Sequence, residues 1–228
     1  MNILLLGKGK TGALVGEIAR ERGHRVRAVG SADNRDGAAL TLPVLRDVDV
    51  VIDFTTPHAV VGNIEACVAA GSNMAVGTTG WYSEIPRIRS LVEKAGTGLV
   101  FSANFSVGVN LLFEATKAVA PALREGYSGR IVERHHVHKK DKPSGTAVAL
   151  NNLLRDNSGG GELPIDSVRE GEIVGEHLIE LVSANDILRL EHLAISRRGF
   201  AEGAVRTAEW LKGRKGFYDF KDIFRQLA

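Results

Sequence analysis

The chain predicts an α/β protein: a doubly wound parallel sheet carrying an inserted α+β domain. Three observations predict it. Over residues 1–103, short and fully apolar runs alternate with helical patterns, as in a parallel sheet covered by helices on both faces. A glycine-rich turn joins the first apolar run to the first helix. Beyond Asn104 the alternation gives way to neighbouring strand patterns with few helices between them, which read as antiparallel pairing.

The elements follow in order. Ile3–Leu6 is wholly apolar and ends at Gly7, as a buried strand does. Leu14, Val15, Ile18 and Ala19 recur at helical spacing within Thr11–Arg22, and Gly23 stops the helix. Arg25–Val29 and Val48–Phe54 are the second and third strands; the segment 30–47 between them shows no clear period. Thr56-Pro57 reads as an N-cap and first helical position of a helix running to Gly71. Met74–Val76, a helix over Ser83–Ala95 and Leu99–Phe101 complete this part. Val109–Leu123 is an apolar-rich helix, followed by a strand at Arg130–Arg134, a polar loop from His135 to Ser144 and a helix over Gly145–Asn157. Ser158–Gly161 is a flexible loop. Ser167–Glu170, His177–Val182 and Ile187–Ala194 are strands, and helices are expected at Phe200–Leu211 and Asp219–Leu227. The organisation predicted is residues 1–103 with 197–228 as one domain and 104–196 as the insert.

Composition narrows the class. The 228 residues allow one domain or two at about 150 residues each. With 44% hydrophobic and 25% charged residues the chain is not disordered. A single cysteine, Cys67, excludes a disulfide framework and any multi-cysteine metal or iron–sulfur site; it reads as a small buried hydrophobe. A net charge of +2 lacks the basic excess of a nucleic-acid binder. No apolar run approaches the roughly 18 residues of a membrane span. Ile3–Leu6 follows Met1-Asn2 with no basic region before it, so no signal peptide is expected and the placement is cytoplasmic.

Gly7-Lys8-Gly9-Lys10-Thr11-Gly12 fits G-x-G-x-x-G between a strand and a helix, the pattern of a Rossmann-like dinucleotide site. The first glycine permits the tight turn, the second lets backbone approach a pyrophosphate, and the third packs helix on strand. Free N–H groups and the helix dipole favour the anion there. Asp33, about 20 residues on, is placed to bond the ribose hydroxyls of NAD. Arg35, Lys8 and Lys10 offer the extra phosphate of NADP equally good partners, so the residues leave the choice open.

Residues 133–146 are the most informative stretch. Three of the seven histidines fall here, at 135, 136 and 138, with Lys139, Lys140 and Lys142 beside them. Ser144-Gly145-Thr146 then opens a helix. Histidines carry protons near neutral pH, lysines supply charge to a carboxylate or developing anion, and the helix start is a second anion site. Together these suit a small polyanion that must gain a proton. A metal site is disfavoured, because His135 and His136 point to opposite faces of a strand and no cysteine or acidic cluster completes a ligand set. A solvated basic loop remains a rival; a nucleic-acid patch lacks aromatic residues.

These residues resemble the 4-hydroxy-tetrahydrodipicolinate reductase (dihydrodipicolinate reductase) family of the diaminopimelate route to lysine. The resemblance spans nearly the whole chain: the glycine turn, Asp53-Phe54-Thr55, the Gly77–Gly80 and Asn104–Asn110 segments, His135-His136 with Lys139, Pro143 to Ala147, Arg169-Glu170-Gly171, Gly175-Glu176-His177 and Phe200 to Ala204. It implies NAD(P)H-dependent reduction of 4-hydroxy-tetrahydrodipicolinate, via dihydrodipicolinate, to tetrahydrodipicolinate. NADH or NADPH would be held by Gly7, Lys8, Gly9, Lys10, Thr11, Gly12, Gly77, Thr78, Thr79, Ser102, Ala103, Asn104 and Phe105, with Asp33 from the glycine-turn reading. It implies His135 as catalytic acid/base and Lys139 as proton donor. His136, Ser144, Gly145 and Thr146 would hold a small dicarboxylate in the inserted domain. It also implies a homotetramer assembled through that domain, whose open strands invite pairing between subunits. Lys10 stands where an arginine is common in the family, and Val137 replaces a polar residue.

His177 and His192 read as structural histidines, and Trp210 as a core residue beside Leu211. Arg197 and Arg198 read as surface charge, with an interdomain or substrate-edge role as the alternative. Two rival functions stand beside the reductase: an aspartate dehydrogenase of the same architecture, and a non-catalytic nucleotide sensor.

Overall fold

A computed structural model describes residues 1–227. In chain order the elements are β1 (Asn2–Leu6), α1 (Lys10–Glu21), β2 (Arg25–Val29), α2 (Leu42–Leu45), β3 (Val50–Asp53), α3 (Pro57–Ala69), β4 (Asn73–Val76), α4 (Ile85–Ala95) and β5 (Gly98–Phe101). Then come α5 (Val107–Val119), β6 (Ser128–His135), α6 (Gly145–Ser158), β7 (Ile165–Arg169), β8 (Glu176–Val182) and β9 (Ile187–Leu193). The chain ends in α7 (Arg198–Leu211), β10 (Gly216–Asp219) and α8 (Phe220–Ile223). It divides into two compact units: Met1–Val107 with the segment from Arg198 onward, and Gly108–Arg197.

The larger unit is built on a six-stranded sheet of order β10-β5-β4-β3-β1-β2, parallel throughout. Its inner strands, such as β1, β3 and β4, are apolar on both faces because helices cover both, whereas the edge strand β2 exposes Arg25 and Arg27. Ile3 and Leu5 face a core with α1, α7 and α8, through residues such as Val15, Ile18, Ala204, Val205 and Phe220. Leu4 and Leu6, one residue out of phase, face a second core with α3 and α4, through Val60, Ile64, Ile88 and Val92. The strand order reverses at β1, and the crevice beyond the carboxyl ends of β1 and β3 is where ligands of this architecture bind.

The smaller unit has a mixed four-stranded sheet of order β7-β6-β8-β9. Ile131, Ile179 and Leu181 on one face pack against Leu112 of α5 and Ala147, Leu150 and Leu154 of α6.

Several elements differ from the sequence reading. β7 runs parallel to β6, not antiparallel, because α6 intervenes and acts as the crossover. β8 pairs antiparallel with β6 and β9, as the short links require. The expected helix over Asp219–Leu227 is present in two short pieces, the four-residue α8 and a 3-10 turn at Phe224–Gln226, and before it lies a strand the sequence reading did not include, β10, which adds to the sheet edge beside β5. Phe217, Phe220 and Phe224 mimic a helical period, yet Phe217 serves one core from a strand and the other two serve the opposite core. The unassigned 30–47 segment holds a 3-10 turn at Arg35–Gly37 and α2. Thr56 precedes α3, but its side chain makes no capping bond. Ser158 belongs to α6, which Gly159 closes in the left-handed conformation.

Candidate active site

In the larger unit the glycine turn leaves β1 with Gly7 at φ 101°, its N–H donating to the Val29 carbonyl at 2.9 Å. A Cβ on Gly7 would lie 2.2 Å from the Phe54 carbonyl oxygen, and one on Gly12 would lie 2.2 Å from that of Gly7. Both positions therefore exclude side chains by close backbone packing. At Gly9 a Cβ would meet nothing within 4 Å. Gly9 is also the N-cap of α1 and offers no side-chain cap, so the first-turn N–H groups stay open to an anion.

Two cavities share Gly9, Phe54 and Thr55 in their walls. One, of about 340 Å³, is lined by Lys8, Gly30, Ser31, Asn34 and Arg35 among others. The second, of about 300 Å³, is lined by Lys10, Thr11, Gly12, Gly77, Thr78 and Thr79. The walls hold fully buried polar groups in place. Asp53 Oδ1 accepts from the Thr55 N–H and from both Thr55 and Thr78 hydroxyls, at 2.7–2.9 Å. Its Oδ2 accepts from Asn63, which in turn accepts from Asn34 at 2.9 Å. Asp53 thus ties together loops after β2, β3 and β4.

Of the residues expected to hold cofactor, Gly7–Gly12 and Gly77–Thr79 converge on these cavities. Asp33 lies outside the lining; exposed, it pairs with Lys8 at 3.5 Å. Ser102, Ala103, Asn104 and Phe105 also lie outside it. Ser102 and Asn104 close a turn on each other, and Phe105 is buried against Phe220 with ring centroids 5.0 Å apart.

The smaller unit gathers the histidine–lysine segment at one end of its sheet. Along β6, Ile131, Glu133 and His135 share a face by the two-residue period, and all three are buried. The buried face thus turns from apolar to ionic at the end of the strand. The strand register sets Ser167 of β7, Glu133, His177 of β8 and His192 of β9 in one row. Glu133, with no exposed surface, receives both terminal nitrogens of Arg169 at 2.8 and 2.9 Å, His135 Nδ1 at 2.5 Å and the Ser144 N–H at 3.3 Å.

Burial works to raise the Glu133 carboxyl, but Arg169, Ser167 and His135 outweigh it and hold it at about 2. Burial pushes His135 below the ordinary imidazole value; Glu133 opposes this, while Lys139 and Arg169 add to it. His177 is pushed down to about 4, chiefly by burial with His135 adding. Both imidazoles are therefore neutral at neutral pH.

Ser144 caps α6 through its Oγ, which accepts the Ala147 N–H at 3.2 Å and meets His177 Nε2 at 3.0 Å. That hydroxyl is committed inside the unit. Lys139 Nζ donates to Asp141 at 2.8 Å, and, against burial, Lys139 together with the backbone at Gly145 holds the Asp141 carboxyl below its ordinary value. His136 Nε2 accepts from Arg197 at 3.2 Å, leaving a buried Nδ1 with no partner among the described residues. Arg197, read as surface charge, thus holds a site histidine, whereas Arg198 pairs with Glu17 and Glu21. Sequence reasoning gave Glu133, Arg169 and Asp53 no role, although Asp53 and Arg169 stand in segments that carry the family resemblance and Glu133 opens the histidine–lysine stretch. Among the described residues no group of three or more His, Cys, Asp or Glu side chains is placed to hold a metal.

Comparison with known proteins matches both units to one family. The profile of the dihydrodipicolinate reductase N-terminus matches residues 1–105, and that of its C-terminus matches residues 108–224. The chain belongs to the dihydrodipicolinate reductase family. It is 36% identical to the 4-hydroxy-tetrahydrodipicolinate reductase of Christiangramia forsetii, over 100% of this chain and 99% of that one. It is 40% identical to the enzyme of the same name from Neisseria meningitidis serogroup A, over 79% and 74% of the two chains. Among solved structures, a dipicolinate-bound dihydrodipicolinate reductase from Paenisporosarcina sp. TG-14 superposes with a TM-score of 0.80 at 21% identity, covering 98% of this chain and 99% of that one. An aspartate dehydrogenase from Thermotoga maritima shares the fold more loosely, at a TM-score of 0.52 and 15% identity over 93% and 97% of the chains. As a member of the reductase family the chain is an oxidoreductase that uses NADH or NADPH.

Proposed function

We propose that this chain reduces 4-hydroxy-tetrahydrodipicolinate, through its dehydrated form dihydrodipicolinate, to tetrahydrodipicolinate in the diaminopimelate route to lysine. The observation that carries this reading is the gathering of His135, Lys139 and the first turn of α6 at one end of a sheet, in a chain whose two units match the two halves of that family.

The cofactor fits the larger unit. The open N-terminus of α1 at Gly9 suits the pyrophosphate, with Gly7–Gly12, Asp33, Gly77–Thr79 and the Ser102–Phe105 turn assigned to the dinucleotide. NADH or NADPH, when bound, supplies hydride to a ring carbon conjugated with an imine. Negative charge then builds toward the ring nitrogen and carboxylate. Lys139 stabilises that charge and donates the proton that quenches it. Asp141 takes Lys139 Nζ and lies by the backbone at Gly145, the partners a substrate carboxylate needs. A dicarboxylate displaces Asp141 from them, with Thr146 and the free Nδ1 of His136 completing its recognition. Ser144 contributes by fixing the helix start. Neutral His135 serves as acid/base.

The reading extends to a homotetramer in the cytoplasm. β9 is an edge strand, and Ile187 and Leu193 on it are exposed, the kind of edge that proteins cover. No helix among the described residues is long and apolar enough to cross a membrane. A monomeric mass in solution contradicts the tetramer.

The test is NAD(P)H oxidation by the purified chain, with substrate made in situ from pyruvate and aspartate semialdehyde by the preceding enzyme. Oxidation that needs every component is expected. No oxidation despite cofactor binding contradicts the assignment.

A further inference from the structure

We propose that Glu133 is a positioning residue that fixes His135 as its Nδ1–H tautomer and, through the same carboxylate, registers that imidazole with the first turn of α6. This rests on the reading of His135 as the acid/base group.

The carboxylate has no exposed surface, and its two oxygens divide their work. Oε2 faces His135 Nδ1 at 2.5 Å and one Arg169 nitrogen at 2.9 Å. Oε1 faces the other Arg169 nitrogen at 2.8 Å and the Ser144 N–H at 3.3 Å. An ionised carboxylate only accepts, so Nδ1 must carry the proton, and Nε2 is left with its lone pair outward. Nε2 has no hydrogen-bond partner among the described residues. It faces Gly175, where a Cβ would come within 3.1 Å of it, so the absent side chain leaves the working nitrogen room for a ligand atom. Ser144 begins α6, so the same carboxylate fixes both the proton-carrying ring and the N–H groups of an anion site.

Arg169 makes the arrangement rigid. Its bidentate fork locks the carboxylate plane, and its Nη2 also donates to the Asp141 carbonyl at 2.6 Å, anchoring the loop that carries Lys139. The charged and titratable groups facing His135 are Glu133 on β6, Lys139 in the next loop, Arg169 on β7 and His177 on β8, with His192 on β9 behind it. Glu133 is the sole anion among these.

Glu133→Gln is the informative change because it keeps the size. A glutamine has one acceptor side and one donor side. It can accept from Ser144 or from His135, and must oppose its own N–H to the other donor. We measure the His135 tautomer and titration by 15N–1H NMR, with kcat and KM against pH, in wild type, Glu133→Gln, Glu133→Asp and His135→Asn. In Glu133→Gln the Nδ1–H tautomer loses population, because the single amide oxygen is shared between two donors, and the imidazole titrates lower. Its kcat falls by about 100-fold or more, and KM for the dicarboxylate rises while the NADH Kd stays unchanged. Glu133→Asp recovers part of the tautomer and part of kcat.

An unchanged tautomer and pH profile in Glu133→Gln overturns the proposal. If Glu133→Gln fails to fold, the paired variant Glu133→Gln/Arg169→Met, which leaves no lone buried charge, is read the same way. His135→Asn separates the two claims. Full turnover there removes the acid/base reading itself, whereas an inactive His135→Asn beside a fully active Glu133→Gln removes only the role of Glu133.

Discussion

The two units each hold a helix N-terminus to which the proposed function assigns an anion, and the two starts are built by opposite means. α1 begins at a glycine with no side-chain cap and nothing within 4 Å of where its Cβ would be. α6 begins at Ser144, whose hydroxyl and N–H are both engaged, with Ala147, His177 and Glu133. The first arrangement removes side chains so that a pyrophosphate can lie against backbone. The second fixes side chains so that proton donors and acceptors hold one geometry. On the proposed reading, a binding site is made by vacancy in one unit and by a buried ionic lattice in the other. Mutations in the two should separate affinity from turnover.

The largest effect is expected at the ionic end. Lys139→Ala lowers kcat by about 10²- to 10⁴-fold while the NADH Kd stays within twofold, measured by turnover and by nucleotide fluorescence. Equal losses of both contradict the division of labour. Gly175→Ala sharpens it further: a methyl 3.1 Å from His135 Nε2 lowers kcat by roughly tenfold with cofactor affinity intact.

In the larger unit the glycines should split. Gly12→Ala drives a Cβ to 2.2 Å from a backbone carbonyl and costs about 2 kcal/mol or more of stability, read by urea unfolding. Gly9→Ala leaves stability within about 0.5 kcal/mol yet weakens NADH binding at least tenfold. If Gly9→Ala binds NADH normally, the open N-terminus of α1 is not the pyrophosphate site.

Acid should act on the smaller unit. The folded His177 titrates near 4 against about 6.5 when unfolded, so between those values the unfolded chain binds the extra proton. Stability therefore falls as pH drops from about 6.5 to 4, by roughly 3 kcal/mol from this group. Glu133, near 2 when folded, adds a further loss below about pH 4.5. His177→Gln removes most of the first loss in denaturant melts at pH 7 and 4.5. The smallest effect is at Asp33, exposed and 3.5 Å from Lys8. Asp33→Ala leaves stability unmoved and shifts preference from NADH toward NADPH, seen in the ratio of kcat/KM values.

The same contrast explains what the sequence made legible. The glycine turn is local, and a strand buried on both faces announces itself by an unbroken apolar run such as Ile3–Leu6. Those signals were enough for the doubly wound sheet and for the glycine turn that lines the cavities beside β1 and β3. The ionic lattice is assembled across strands far apart in the chain. Arg169 reaches Glu133 only because β7 lies parallel to β6 and pairs Arg169 with His135, and nothing local to residue 169 encodes that. Glu133 was legible in principle, since it shares a face with His135 at period two, but an isolated glutamate in a strand reads as solvent-facing. β10 escaped because its four residues, Gly216–Asp219, are too few to show a period.

The most direct test of the account is a paired measurement of NADH Kd and kcat on Gly9→Ala and Lys139→Ala, with substrate generated in situ. The account predicts a crossed pattern: Gly9→Ala loses affinity and keeps kcat at saturating NADH, while Lys139→Ala keeps affinity and loses kcat. Parallel losses in both variants would contradict it.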